Sequence, residues 1–471
     1  MHKERKRLMS LKWKRLELFD SHGMSASLRR SLYQIIWGVT VGMICTVVTT
    51  GASWTGFQRE VLHADDFQLG LIAAIPVAAN ILQIFISFYM ERKRNRRFLF
   101  LFFGLLGRSL WIVIGLLPFF IPVSAQVLRI VTTIMLVGLI ATGNCFVNLG
   151  FASLMGDLVP MRIRGAYLSV RQKISLISSI LAGMLVSLIV DRCGTTGYSI
   201  VLVLAGVSGC LDLACFFGVD WPPMAQKSRE ETAEKPVQVI GDVFRDGNFM
   251  RFTLAFTLWA LAFNVPAPFF NVFMLEELHM NYTTITLTNQ IVSNLVTVLV
   301  VGKWGRLLDR FGNKPVLQFV CTFVAIIPLV WMAMGANAVW LVVLGNILSG
   351  CFVAPIDLMQ INLYLGLSPQ RNRSIYVAVF FVCYNLLGIA LGNALGGWLM
   401  QNAFAQVEAS GLVLLGMRMT KYRCLFLASA ILRFLVAFAI FPLMREPGAS
   451  SFKEARLALK AERVARRKRL Y

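Results

Sequence analysis

Charged side chains are scarce in this 471-residue chain, at 15%, and acidic ones scarcer still: 24 Asp and Glu stand against 46 Lys and Arg. With 57% hydrophobic residues, so few charges cannot cover the apolar surface in water, which excludes an ordinary soluble globule. Only four histidines occur, His2, His22, His63 and His279, and all lie outside the long apolar stretches. This scatter argues against a membrane-embedded lipid enzyme, which needs clustered His, Asp, Glu or Cys near an interface. The nine cysteines stand singly without a CxxC pair, so they read as small apolar fillers, and neither metal nor cofactor is expected. No GxxxxGK[S/T] segment appears, which disfavours an ATP-driven pump. The first 30 residues are basic and lack a signal-peptide core, so the first apolar stretch is expected to act as an uncleaved insertion signal.

Long apolar runs are abundant. Twelve lie at about Leu32 to Phe57, Phe67 to Met90, Phe98 to Pro122, Val123 to Gly150, Ile174 to Val190, Tyr198 to Val219, Phe249 to Leu275, Thr283 to Val301, Val316 to Gly335, Val339 to Leu365, Ile375 to Met400 and Tyr422 to Met444. Each is near the roughly 20 helical residues needed to cross a 30 Å hydrocarbon layer. The sequence therefore predicts an all-α integral membrane protein of twelve spans.

The polar segments between runs alternate in basic content: 38 of the 46 Lys and Arg fall on one side if odd-numbered spans run away from it. The other side holds only Arg59, Arg129, Arg192, Arg418, Lys421 and Arg423, with Arg108 and Arg433 inside spans. The positive-inside asymmetry predicts that the basic side, with both termini, is cytoplasmic, and short opposite loops suggest a bacterial inner membrane. In a eukaryotic host Asn281-Tyr282-Thr283 would be a glycosylation acceptor. The net charge of +22 is spread over loops and tails, so attraction to anionic inner-leaflet lipid accounts for it and no nucleic-acid partner is expected. The tail from Ser451 carries apolar residues among basic clusters and reads either as an amphipathic surface helix or as a disordered basic tail.

The longest internal polar break, residues 221–248 with Pro222, Pro223 and Pro236, divides the spans six and six. The expected organisation is a basic arm (1–30), a six-helix bundle (31–220), a linker (221–248), a second bundle (249–444) and a basic tail (445–471). Repeats support the division. Pro160 to Tyr167 reads PMRIRGAY after the fourth span and Pro369 to Tyr376 reads PQRNRSIY after the tenth. Glu91, Arg92, Asn95 and Arg96 after the second correspond to Asp309, Arg310, Asn313 and Lys314 after the eighth.

The segment Gly305 to Lys314 (GRLLDRFGNK) resembles the loop signature of the major facilitator superfamily, and Asp157 to Gly165 (DLVPMRIRG) is similar to its loop after the fourth helix. The first-half loop, Ser87 to Arg97, departs from the pattern in having Glu91 for aspartate and no glycine. The resemblance implies two pseudo-symmetric six-helix bundles with a central cavity lined by the first, fourth, seventh and tenth helices. It also implies that Glu91 and Asp309 meet the other half at the cytoplasmic face. There an acidic side chain can cap a neighbouring helix N-terminus, Asp309 the fifth near Arg171 and Glu91 the eleventh near Ser374, as a latch present only while that face is shut. Arg92, Arg310, Lys314, Asp157, Arg162, Arg164, Arg371 and Arg373 complete the expected gate.

Ionisable groups at membrane depth need a partner or water. Arg108 and Asp212 lie about 16 and 13 Å from the basic side on the third and sixth spans, at depths that suit an ion pair. Arg433 has no evident carboxylate; snorkelling, carbonyl bonding and a pathway position stay open. On the tenth span Asn346, Gly350, Asp357 and Gln360 fall within about 80° of one another, forming a polar face. The fourth repeats it with Asn144 and Asn148; the first carries Gln34 and Trp37, the seventh Trp259, Asn264 and Asn271, and the eighth Gln290, Asn294 and Thr297. The expected cavity residues are Gln34, Trp37, Asn144, Asn148, Trp259, Asn264, Asn346, Asp357 and Gln360, against the alternative of hydrogen bonds between helices. Amides and tryptophans suit a neutral hydroxylated solute such as a sugar or glycoside.

The expected function is thus secondary active transport of a small solute by a monomer, with a coupling proton or cation on Asp357 or Asp212, or uniport. The alternatives are multidrug-type efflux of amphipathic compounds and a transport-inactive sensor. Pro76, Pro266, Pro268 and Pro355 predict helix breaks, and Gly388, Gly392 and Gly396 a seam for close packing.

Overall fold

The computed structural model describes residues 25–93, 95–222, 236–335, 340–369, 373–414, 416–444 and 446. The basic arm before Ser25, residues 223–235 of the linker and the tail after Glu446 lie outside the described residues.

Eleven helical segments among the described residues are long and apolar enough to cross a membrane. The segment Ile163–Gly218 contains two crossings, because Gly194, at φ 55° and ψ −133°, breaks it between the fifth and sixth expected spans. Only glycine adopts this conformation cheaply. The chain turns back there, so that a Cβ on Gly197 would lie 2.9 Å from the Ile189 carbonyl. The fold is therefore the expected twelve-helix membrane bundle.

The prolines act where the sequence places them. Pro76 precedes a tight turn at Ala79–Ile81 in the second span. The seventh span is split into Gly247–Asn264 and Phe269–Glu276, with Pro266 and Pro268 between. The tenth divides into Trp340–Phe352 and Ala354–Leu367 at Pro355. Wide π-helical turns were not legible beforehand; they occupy Phe57–Val61, Leu287–Val292, Cys383–Ala390, Leu399–Phe404 and Val436–Ile440. A short hairpin pairing Val413 with Arg418 and Leu414 with Met417 precedes the twelfth span and was likewise unexpected.

The tyrosines of the two repeated motifs are both buried against a span of their own half. Tyr167 is buried and its hydroxyl donates to the Leu32 carbonyl of the first span at 3.1 Å. Its counterpart Tyr376 is also buried and meets the Phe249 ring of the seventh span edge-on at 4.8 Å.

The halves pack against each other mainly toward the side opposite the basic loops. There Asp66–Ala78 lies along Leu391–Trp398, and Tyr282–Thr286 lies against the fifth span. A Cβ on Gly70 would approach the Asn393 carbonyl to 2.5 Å, and one on Gly397 the Asp66 carbonyl to 2.6 Å. On the basic side Gly156, Gly165, Gly302, Gly305 and Gly366 have open space where a Cβ would stand. Among the described residues the two halves make their closest contacts on the side opposite the basic loops.

Candidate functional site

Three adjoining lobes share lining residues; the first two lie between the halves, and the third is lined by residues of the second half alone. The first, about 320 Å³, is lined by Thr50, Gln58, Trp111, Asn144, Ala267 and Asn271 among others. Trp54 also lines it and meets Trp111 edge-on at 5.0 Å, giving one wall two aromatic faces. The second, about 150 Å³, shares Thr50 and Asn271 with the first and adds Tyr282, Asn289 and Gln290. The third, about 240 Å³, shares Ala267 with the first and Asn289 with the second, and is bordered by Phe263, Phe270, Trp331, Asn346 and Arg433.

A chain of amides runs through these lobes. Asn346 Nδ2 donates to Asn289 Oδ1 at 3.0 Å and to the Val342 carbonyl at 3.1 Å, and Asn289 Nδ2 reaches Asn271 Oδ1 at 3.4 Å. Asn289 was missed in the sequence because a straight helix puts Gln290, Asn294 and Thr297 on one stripe without it. The π-helical turn over Leu287–Val292 rotates the face, and Asn289 and Gln290 both line the cavity.

Of the expected cavity residues, Asn144 and Asn346 line lobes. Asn148 continues the Val137, Ala141 and Asn144 stripe one turn toward the basic side and is exposed. Asp357 likewise extends the Asn346 and Val353 stripe and is exposed, whereas Gln360 is 7% exposed. Trp37 is exposed, and Gln34 packs on Gly218 of the sixth span. Trp259 and Asn264 do not line the lobes. Trp259 is buried against Phe441 of the twelfth span, and Asn264 Nδ2 returns to the Ala260 carbonyl while its Cβ borders Gly392. The break after Asn264 gives the two parts of the seventh span different faces, so Ala267, Pro268 and Asn271 meet the cavity instead.

The side opposite the basic loops is held by charges the sequence supplied only as topology markers. Asp66 accepts from Arg59 at 2.5 Å and from Lys421 at 2.7 Å, and Arg59 Nε also reaches Glu276 at 2.6 Å. Burial opposes the Arg59 charge, but Glu276 and Asp66 together raise its pKa above the ordinary guanidinium value. Tyr422 donates to the other Glu276 oxygen. The Tyr282 hydroxyl donates to Glu60 at 3.0 Å and stands 2.6 Å from that of Tyr198. Asp191 of the first half accepts the Tyr282 and Thr283 amides, each at 2.9 Å, and so caps the eighth helix across the interface. It is a cross-half cap of the same physical kind as those expected of Glu91 and Asp309, made by a different residue at the other face.

Of the expected basic-side gate, the described residues make these contacts, each within one half. Asp157 pairs with Arg96, which also holds the Pro222 carbonyl. Arg164 donates to the Gly156 carbonyl at 2.7 Å. Lys314 reaches the Met444 carbonyl at 2.6 Å, while its amide and that of Asn313 are capped by Glu446. The Arg310 guanidinium lies 5.0 Å from the Phe311 ring. Arg373 Nε is buried without a hydrogen-bond partner among the described residues. The side chains of Glu91, Arg92, Arg162 and Asp309, and all of Arg371, lie outside the described residues.

The expected Arg108–Asp212 contact is corrected. Gly38 and Gly42 open a slot on the first span that receives the Asp212 carboxyl, whose Oδ1 is buried with no hydrogen-bond partner among the described residues. Arg108 Nη1 donates instead to Cys45 at 3.1 Å, and Arg108 and Arg171 act on Asp212 only through space. Arg433, 1% exposed, bonds to the Val324 and Phe263 carbonyls at 3.1 and 3.3 Å and lies 4.5 Å from the Phe263 ring.

Comparisons accord with this geometry. No curated protein sequence matches the chain significantly. Among solved structures it is similar to the nucleoside transporter NupG (13% identity, TM-score 0.67, covering 87% of this chain and 98% of that one). It is also similar to a bacterial homolog of the human lysosomal transporter Spinster in an inward-facing, unoccupied conformation (15%, 0.63, 90% and 100%). A third is an auto-inhibited POT family peptide transporter (14%, 0.64, 90% and 99%). The sequence profile of the Major Facilitator Superfamily matches residues 36–386 and 261–470. The chain, a transporter and not an enzyme, belongs to the major facilitator superfamily.

Proposed function

We propose that this protein is a secondary transporter that carries a small hydroxylated solute, a sugar or glycoside, across a cell membrane by alternating access. The observation that carries the reading is the cavity: Asn144, Asn271, Asn289 and Gln58 both donate and accept, beside the faces of Trp54 and Trp111. Neutral hydroxyls pair with such groups, and a sugar ring or a base stacks on such walls. Nucleosides are glycosides, and one similar structure is a nucleoside transporter.

In this reading the basic side is cytoplasmic, the structure is open inward, and the basic loops face anionic lipid. The two bundles, 31–220 and 249–444, rock about the lobes. Glu91 and Asp309, with the repeated arginines, re-form their caps when the cytoplasmic side shuts. Asp357, exposed on the stripe below the lobes, is the carboxylate placed to carry a coupling proton.

Uptake into proteoliposomes of radiolabelled sugars and nucleosides tests the assignment. Saturable flux of at least one, with KM raised about tenfold by Asn144→Ala, is expected for loss of one well-formed polar contact. Flux confined to amphipathic dyes would instead favour multidrug-type efflux, a reading supported by the aromatic third lobe around Phe270 and Trp331. Absence of any flux would leave a sensor.

A further inference from the structure

We propose that Ser429 and Arg433 of the twelfth span are positioning residues. They hold the break in the seventh span, and through it the cavity wall at Ala267, Pro268 and Asn271. The inference rests on the transport reading for its purpose but on hydrogen-bond accounting for its substance.

A helical carbonyl accepts from the amide four residues later, and proline has no amide to give. Pro266 thus orphans the Ala262 carbonyl. The Ala267 amide bonds to Asn264 at 3.2 Å, so the Phe263 carbonyl is orphaned too. In the ninth span Pro328 orphans the Val324 carbonyl. A buried, unsatisfied carbonyl is strongly disfavoured in a membrane interior.

The twelfth span supplies all three missing donors. Ser429 Oγ donates to Ala262 at 2.7 Å, Arg433 Nη2 to Phe263 at 3.3 Å, and Arg433 Nη1 to Val324 at 3.1 Å. Ser429 and Arg433 are four residues apart and therefore share a face. They are 0% and 1% exposed, so water does not compete. The guanidinium serves two helices at once, a geometry that a lysine ammonium does not reproduce. The same break places Ala267 on two lobes and Asn271 on another pair.

The test is a pair of double-mutant cycles on the purified full chain. Ser429→Ala should lower the melting temperature by several degrees. Pro266→Ala restores an amide aimed at Ala262, so Ser429→Ala in that background should have less than half the effect. Arg433→Gln and Arg433→Lys should both destabilise, and Pro328→Ala should blunt each loss; additive effects in both cycles would overturn the proposal. A second readout separates positioning from bulk stability. The rate at which N-ethylmaleimide labels Ala267→Cys, with the native cysteines replaced, should change several-fold on adding Ser429→Ala. It should not change on adding Ile114→Ala, a buried substitution in the third span; equal changes would reduce the pair to ordinary core residues. Neither readout needs a solute, so both stand if the transport assignment fails. Where a solute is found, Ser429→Ala is expected to raise KM more than it lowers the maximal rate.

Discussion

Asp66 gathers two cations, Arg59 from the end of the first span and Lys421 from the start of the twelfth, so one carboxylate ties the halves together. Its side chain is 9% exposed, between a surface pair and a dry one. Asp66→Asn should weaken closure by about 2 kcal/mol, roughly a thirtyfold shift in the ratio of closed to open forms. Faster maleimide labelling of Thr50→Cys from the opposite side would register it, and an unchanged rate would remove Asp66 from the gate. Asp357→Asn belongs to the same scale: if the carboxylate carries the proton, transport driven by a pH gradient disappears while counterflow of solute persists. Retained pH-driven uptake would take Asp357 out of the coupling step. Residue roles were only partly readable in the sequence. Asn144 and Asn346 sit on regular stripes and line the lobes as expected of a stripe, whereas the place of Asn289 needed the π-helical turn and that of Arg433 a tally of carbonyls on two other helices.

At the scale of elements, composition carried most of the information. Apolar run length located the crossings, and proline positions located the breaks, because both effects are local to the backbone. Run length also marked the turn at Gly194, because the polar segment Asp191 to Gly197, exposed as far as Thr196, separates the fifth and sixth runs although the helix is otherwise continuous. The glycine seam on the eleventh span was legible as spacing, and its partner is now identified. Gly388, Gly392 and Gly396 face Thr257, Leu261 and Val265 of the seventh span, and a Cβ on Gly396 would come within 2.0 Å of the Val265 carbonyl. Such an approach cannot be relieved by side-chain rotation, so Gly396→Ala must push the helices apart. A loss of about 2 kcal/mol is expected from overpacking, larger than for Gly366→Ala, where space is open. Thermal unfolding in detergent would measure the difference, and equal melting points would show that the seam is slack.

For the whole molecule, charge asymmetry told which loops share a side, since insertion depends on Lys and Arg counts and not on conformation. It could not tell which side is shut, because the two states of a rocking bundle share one sequence and differ only in which cross-half contacts are made. Here the closed contacts are those of Asp66, Glu276, Asp191 and Asn393 on the side opposite the basic loops. If the halves must part on that side for turnover, a covalent tether across it stops the cycle without disturbing the cavity. The Phe67 amide donates to Gln401 at 3.0 Å across the interface, so Phe67→Cys with Gln401→Cys, in a chain otherwise lacking cysteine, places two thiols for a short bis-maleimide linker. Cross-linking should abolish flux in proteoliposomes, and a linker cleavable by reductant should restore it. Solute binding from the basic side should survive the tether, because the lobes open that way. Undiminished flux in the linked protein would mean that solute passes without separation of the halves, and the rocking mechanism would have to be abandoned.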